Sequence, residues 1–166
     1  MAISTVHTYL GFAKITGSTE PTEYTKLTDI KDYSDLASPP EAIPTTTMSD
    51  VAETSIPGVI KSDQITFTTN FVPEDYAKIA KMAAAREQVA VCMLYQDNSL
   101  FKNKGIFFIT VTGAAVDEVV NATVTLTTSS GDGWVLAGSW DSNGTVWTQE
   151  KWKYTDTTKK ITKVSA

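Results

Sequence analysis

Residues 62–95 read SDQITFTTNFVPEDYAKIAKMAAAREQVAVCMLY, and this stretch decides the fold. Its first run alternates. Ile65, Phe67, Thr69 and Phe71 fall on one face and Thr66, Thr68 and Asn70 on the other, as a half-buried strand requires. The middle run is a helix, expected over about 73–86. Pro73 suits a first turn, which needs no amide hydrogen. Glu74 and Asp75 sit at the positive end of the helix dipole. Tyr76, Ile79, Ala80 and Ala83 follow the spacing of one buried face. The third run is strand again, with Val89, Val91, Met93 and Tyr95 opposite Ala90, Cys92 and Leu94. The unit is therefore strand, short helix, strand.

The rest of the chain is mostly strand. Thr8 to Ile15 is one candidate, with Gly11 marking a bulge. Tyr24 to Tyr33 is a second, read as a single strand. Gly105 to Gly113 is a nearly continuous apolar run, as in a strand covered on both faces. Ala122 to Thr128 alternates, with Ala122, Val124 and Leu126 inward and threonines outward. Between Pro39-Pro40 and this unit lies Met48 to Lys61, acidic at Asp50 and Glu53. Its apolar residues Val51, Ile56, Val59 and Ile60 lack any period, and Pro57-Gly58 signals a turn. A stretch of that length without regular structure is usually functional or disordered. It is expected to protrude as a loop or loose hairpin that orders against a partner.

Composition bounds the function. The chain has 166 residues, 42% of them hydrophobic, enough for one ordinary domain with its own core. Its net charge of −5 is uneven. Residues 1–130 hold nine Lys and Arg against fifteen Asp and Glu; residues 131–166 hold five against four. An acidic body argues against a reader of nucleic-acid sequence, which needs a basic patch. It does not argue against a surface past which DNA slides. No apolar stretch approaches the roughly 18 residues of a membrane helix. The opening MAISTVHTYLGF has no basic region followed by a long apolar run, so no secretory leader is expected.

The residues for chemistry are sparse. The chain has one cysteine, Cys92, expected to be a buried and inert thiol, and one histidine, His7, on the N-terminal arm. Nucleophilic catalysis needs a base beside the nucleophile, and zinc needs clustered Cys and His. Neither is available, so no catalytic residue, cofactor or metal is expected. Asp141-Ser142-Asn143-Gly144 opens like a calcium loop but lacks the later acid, and reads as a turn.

Composition changes at Ser129-Ser130-Gly131-Asp132-Gly133, which reads as a hinge between a body, 1–130, and a C-terminal β appendage, 131–166. All four tryptophans lie beyond it: Trp134, Trp140, Trp147 and Trp152. Two readings stand. The rings pack across short hairpins, or they are exposed platforms for sugar rings, a pattern similar to the aromatic repeats of bacterial cell-wall-binding modules.

The succession KLTDIKDYSDL (26–36), SDVAETSIPGVIKSDQITFTTNF (49–71) and PEDYAKIAKMA (73–83) resembles the major tail tube proteins of long-tailed bacteriophages over about residues 5–130. The resemblance implies a mainly β fold, a sandwich or barrel of two packed antiparallel sheets with one flanking helix. It implies six copies in a ring, stacked rings forming a tube, and DNA passing through an acidic lumen as non-specific cargo. Partners implied are other copies of the chain, a tape measure, a tail terminator and baseplate or tip proteins. The implied location is the virion tail, assembled in the bacterial cytoplasm, with no membrane partner and no enzymatic activity. The ring-stacking loop maps to Asp50, Val51, Glu53, Ile56, Pro57, Gly58 and Val59. The Trp-rich appendage departs from the minimal family pattern, and is expected on the outside of the tube and dispensable for assembly. The alternative is a carbohydrate-binding β-sandwich that uses the four tryptophans.

Overall fold

Every residue of strand β7 (Val89–Leu94) is buried, and the chain is arranged around that fact. The computed structural model describes residues 7–15, 17, 19–36, 40–49, 51–58, 64–113, 116–129 and 133–164. Around β7 lie β1 (Tyr9–Lys14), β2 (Glu23–Thr28), β3 (Ile30–Tyr33), β6 (Gln64–Asn70), β8 (Leu100–Val111), β9 (Asn121–Thr128), β13 (Trp152–Thr155) and β14 (Lys160–Lys163). They form one antiparallel sheet in the order β13-β14-β2-β1-β7-β8-β9-β6-β3, and β10 (Val135–Leu136) joins β8 as the tenth strand. The fold is mainly β, with the single helix α1 (Pro73–Ala84) among the described residues.

The sheet curls because one strand changes sides. Tyr24 to Tyr33 is not a single strand. It breaks at Asp29 into β2, which pairs with β1, and β3, which pairs with β6. One residue thus carries the chain from the third position of the sheet to its last. A bend or bulge that moves a strand between sheets makes the corner of a barrel-like sandwich, and the β3–β6 register shifts between Ile30 and Asp32. The hydroxyls of Tyr33 on β3 and Tyr95 after β7 lie 3.1 Å apart, although three strands separate β7 from β3 in the sheet.

Two cores result. The inner one gathers Leu10, Leu27, Ile65, Phe67, Val89, Val91, Met93, Phe107, Val124 and Leu126 with Ile79 and Met82 of α1. The outer one gathers Ala90, Cys92 and Leu94 of β7 with Tyr24, Leu100, Ala137, Trp152 and Ile161. Alternate residues of β7 therefore serve opposite cores. The strand expected to be covered on both faces was β8, and that expectation is corrected. Phe108 and Val111 of β8, which alternation sends to opposite faces, are 42% and 48% exposed, so neither face of the strand's far end is fully covered.

The hinge reading is corrected too. Beyond Gly133 the chain rejoins the edge of β8: Val135 pairs with Lys102 and Leu136 with Phe101. β14 then pairs with β2, matching Ile161 to Tyr24. Residues 131–166 are not an appendage; they supply three strands of the main sheet and cover the outer face of β7. Gly11 sits at a register shift in β1, as its expected bulge requires. A Cβ there would lie 2.9 Å from both Cys92 Sγ and Ile161 Cδ1, so this glycine lets β14 approach.

The helix follows its sequence closely. Pro73 occupies its first turn, Glu74 and Asp75 follow, and Asp75 takes Lys78 at 3.3 Å. Arg86 at φ 49° ends it, two residues past Ala84. The buried pair is Ile79 and Met82, with Tyr76, Ala80 and Ala83 half-buried beside them. Met82 was not expected in that face, because Ala83 one position on fits the same spacing.

Two substitutions test this packing. Ile79→Ala should destabilise the protein by about 2–5 kcal/mol, the usual cost of emptying a core site. Trp152→Ala should cost about 3–5 kcal/mol and lower the single unfolding transition of the whole chain. A separate low-temperature transition, with the main one unmoved, would mean that residues 131–166 fold independently.

Candidate functional site

The surface that the molecule leaves unfinished is a hairpin. β4 (Ala42–Pro44) and β5 (Ser55–Pro57) pair with each other, Ile43 opposite Ile56, and among the described residues with no strand of the main sheet. Threonines fasten its open end: Thr45 N–H donates to the Thr54 carbonyl at 2.8 Å and Thr45 Oγ1 to Thr54 Oγ1 at 3.1 Å. Thr54 N–H donates to Thr46 Oγ1 at 3.0 Å. Pro44 and Pro57 lie in the strands rather than in a turn. Prolines there blunt an edge that would otherwise recruit other strands. Gly58 donates to the Glu41 carbonyl at 2.8 Å, and a Cβ at Gly58 would lie 2.5 Å from that oxygen. The expected Pro57-Gly58 turn is thus a strand end in close approach.

This arm presents apolar side chains to solvent. Met48 and Val51 are fully exposed, and Ile43 and Ile56 are about half exposed. Glu53 is exposed between them. Of the sequence-expected stacking residues, Val51, Glu53, Ile56, Pro57 and Gly58 therefore lie together on one arm. Asp50 and Val59 fall outside the described residues.

The tryptophans do not gather. Trp152 is 1% exposed and meets Tyr24 edge-on at 5.6 Å, so it offers no ring to a sugar. Trp134 is half-buried against the inner core. Trp147 is half-buried, and its ring would lie 2.2 Å from a Cβ at Gly138. Only Trp140, opposite Trp147 on the hairpin of β11 (Gly138–Trp140) and β12 (Trp147–Gln149), is mostly exposed, at 63%. The four-ring platform is corrected to one exposed ring: tryptophans close in sequence were assigned to one surface, whereas the strands send them to different places. The turn of this hairpin is held by Asp141, whose carboxylate accepts from the Thr145 and Val146 amides at 2.6 and 3.1 Å. These backbone donors hold its pKa below the ordinary value.

Charge is concentrated around β13–β14. Lys160 pairs with Glu23 at 2.8 Å and Lys163 with Glu150 at 2.7 Å. Lys102 bridges Glu20 at 2.8 Å and Glu150 at 3.8 Å. The Lys163 hydrogen bond, and then the charge of Lys102, hold the Glu150 carboxyl below the usual carboxylate range. Beside this cluster runs a groove of about 690 Å³, walled by Ser139, Thr148 and Gln149 and by Thr162, Lys163 and Val164.

Among the described residues no three His, Cys, Asp or Glu side chains could hold a metal ion. Cys92 is fully buried, and burial pushes its thiol well above the ordinary value. His7 Nδ1 lies 3.5 Å from the Tyr9 hydroxyl. Among the described residues no helix is long and apolar enough to cross a membrane.

One surface was missed by the sequence reading. The outer sides of β6, β8 and β9 align Thr68 with Thr123 and Thr110, and Thr66 with Thr125 and Phe108. These six residues are uncharged, with Asp32 of β3 opposite Thr68 at the rim of the row, and the TFT and TVTLT alternation was its signal. No family model matches the chain, and no curated protein matches it.

The Glu150 cluster predicts an acid limb of stability. A depressed folded pKa stabilises the protein above the ordinary carboxylate range, and the contribution is lost as pH falls through the folded value. Melting temperature against pH should therefore fall less steeply on acidification in Glu150→Gln than in the wild type. Parallel curves would remove Glu150 from the account.

Proposed function

We propose that this protein is a structural subunit that polymerises into a phage-type tail tube: rings of about six copies, stacked, with DNA passing through the lumen. What carries the reading is the arm. A chain with two cores nonetheless holds Met48, Val51, Ile43 and Ile56 in water on a hairpin that, among the described residues, no other strand pairs with. Apolar side chains displayed this way mark an interaction site, and the hydrogen-bonded threonines shape the arm before any partner arrives. The mainly β fold with one helix is the fold the resemblance implies. In this reading a tape measure, a tail terminator and baseplate or tip proteins meet the tube within the virion tail. The acidic excess of residues 1–130 suits a channel that does not hold phosphates.

A second reading, a carbohydrate-binding module, keeps one observation in its favour, the exposed ring of Trp140. The two separate on an electron micrograph of the purified protein. Hollow tubes or rings of uniform width support the first. Monomers retained by a polysaccharide column, and released by Trp140→Ala, support the second.

Shortening the arm tests the role assigned to it. Deleting residues 46–53 removes the exposed tip and leaves both cores intact. The variant should melt within about 1 kcal/mol of the wild type, as surface changes do, and form no tubes. Tubes of normal length from it would take the arm out of assembly.

A further inference from the structure

The arm needs a surface to receive it, and charge and shape point to one. Residues 32–60, which contain the arm, hold five acids and no base. Residues 151–163, the β13–β14 hairpin, hold five lysines and one acid. Two of those lysines, Lys160 and Lys163, are committed to Glu23 and Glu150. Lys151, Lys153 and Lys159 are exposed and form no ion pair among the described residues. They are a local positive excess on a chain that is acidic as a whole.

We propose that the β4–β5 arm of one copy docks in the groove beside the β13–β14 hairpin of a neighbouring copy. This rests on the tube reading and names the acceptor that the reading lacks. Lys151 lines the groove itself. The acids of the groove, Glu23 and Glu150, are neutralised by their own lysines and do not repel an acidic arm. Val164, 46% exposed, lines the same groove and gives the apolar tip a contact. Opposite charges across an interface steer encounter and reject wrong registers, so the pairing fixes which copy meets which. The contact is heterologous: arm and acceptor are different surfaces of the same chain, so each copy that receives an arm still offers one. Such contacts propagate into rings or filaments and do not stop at a dimer. The C-terminal segment then has two tasks, sealing the outer core and receiving the arm.

Charge reversal tests this at low salt, with assembly read as the sedimentable fraction and folding checked by circular dichroism. The triple variant Lys151→Glu, Lys153→Glu, Lys159→Glu should lose at least roughly tenfold in sedimentable protein, the effect of about 1.4 kcal/mol. The arm variant Glu41→Lys, Glu53→Lys should lose a similar amount. The chain carrying all five changes should regain most of it, because the charges again match. If the triple variant does not fold, Lys→Gln at the same positions replaces it and should show a smaller loss. A folded triple variant that sediments like the wild type overturns the docking proposal while leaving the tube reading in place. So does a five-fold variant no better than its parents. Wild-type protein that never sediments overturns the tube reading, and the docking proposal with it. A triple variant that assembles normally but no longer binds polyphosphate beads that retain the wild type assigns the lysines to a polyanion instead, and also overturns the proposal.

Discussion

A strand buried on both faces must be covered twice, and β7 imposes that requirement on the whole chain. Its inward residues, Val89, Val91 and Met93, are met by the curled sheet and the helix. Its outward residues, Ala90, Cys92 and Leu94, would be a bare apolar stripe without Trp152, Ile161 and Ala137. At roughly 1.5–3 kcal/mol for each large side chain taken out of water, neither layer is dispensable in a protein stable by about 5–15 kcal/mol. The C-terminal segment is therefore tied to the N-terminal strands, with β14 hydrogen-bonded to β2. Gly11 leaves the room for that contact.

Elements set by local pattern were legible in the sequence. Strands β6 and β9 alternate cleanly and pair in register from Gln64–Thr127 to Asn70–Asn121. The helix begins at Pro73, as its first-turn chemistry dictates. Features set by distant partners were not legible. Asp29 looks like any exposed residue in an alternating strand, yet the chain turns its corner there. The Ser-Gly-Asp-Gly composition reads as a hinge because nothing local announces that Ile161 will lie against Tyr24. The apolar run of β8 reads as doubly buried, since a sequence cannot say that Phe108 stays 42% exposed.

The candidate site divides the same way. Apolar residues without a period, between prolines and beside acids, marked the arm, and the structure places Val51, Glu53 and Ile56 on it in solvent. The tryptophans misled because aromatic clustering in sequence is not clustering in space. In the tube reading, the face that matters at the C-terminal end is the basic edge of β13–β14, whose five lysines are spread along KWKYTDTTKKITK. A net charge near neutrality over residues 131–166 conceals that edge.

The central claim is that this chain is built to assemble with itself. Sedimentation velocity of the purified full-length protein over a range of concentrations tests it most directly. The account predicts species of ring size and larger that grow with concentration and recede as salt screens the charges. A single species of 18.0 kDa at every concentration and salt would contradict it.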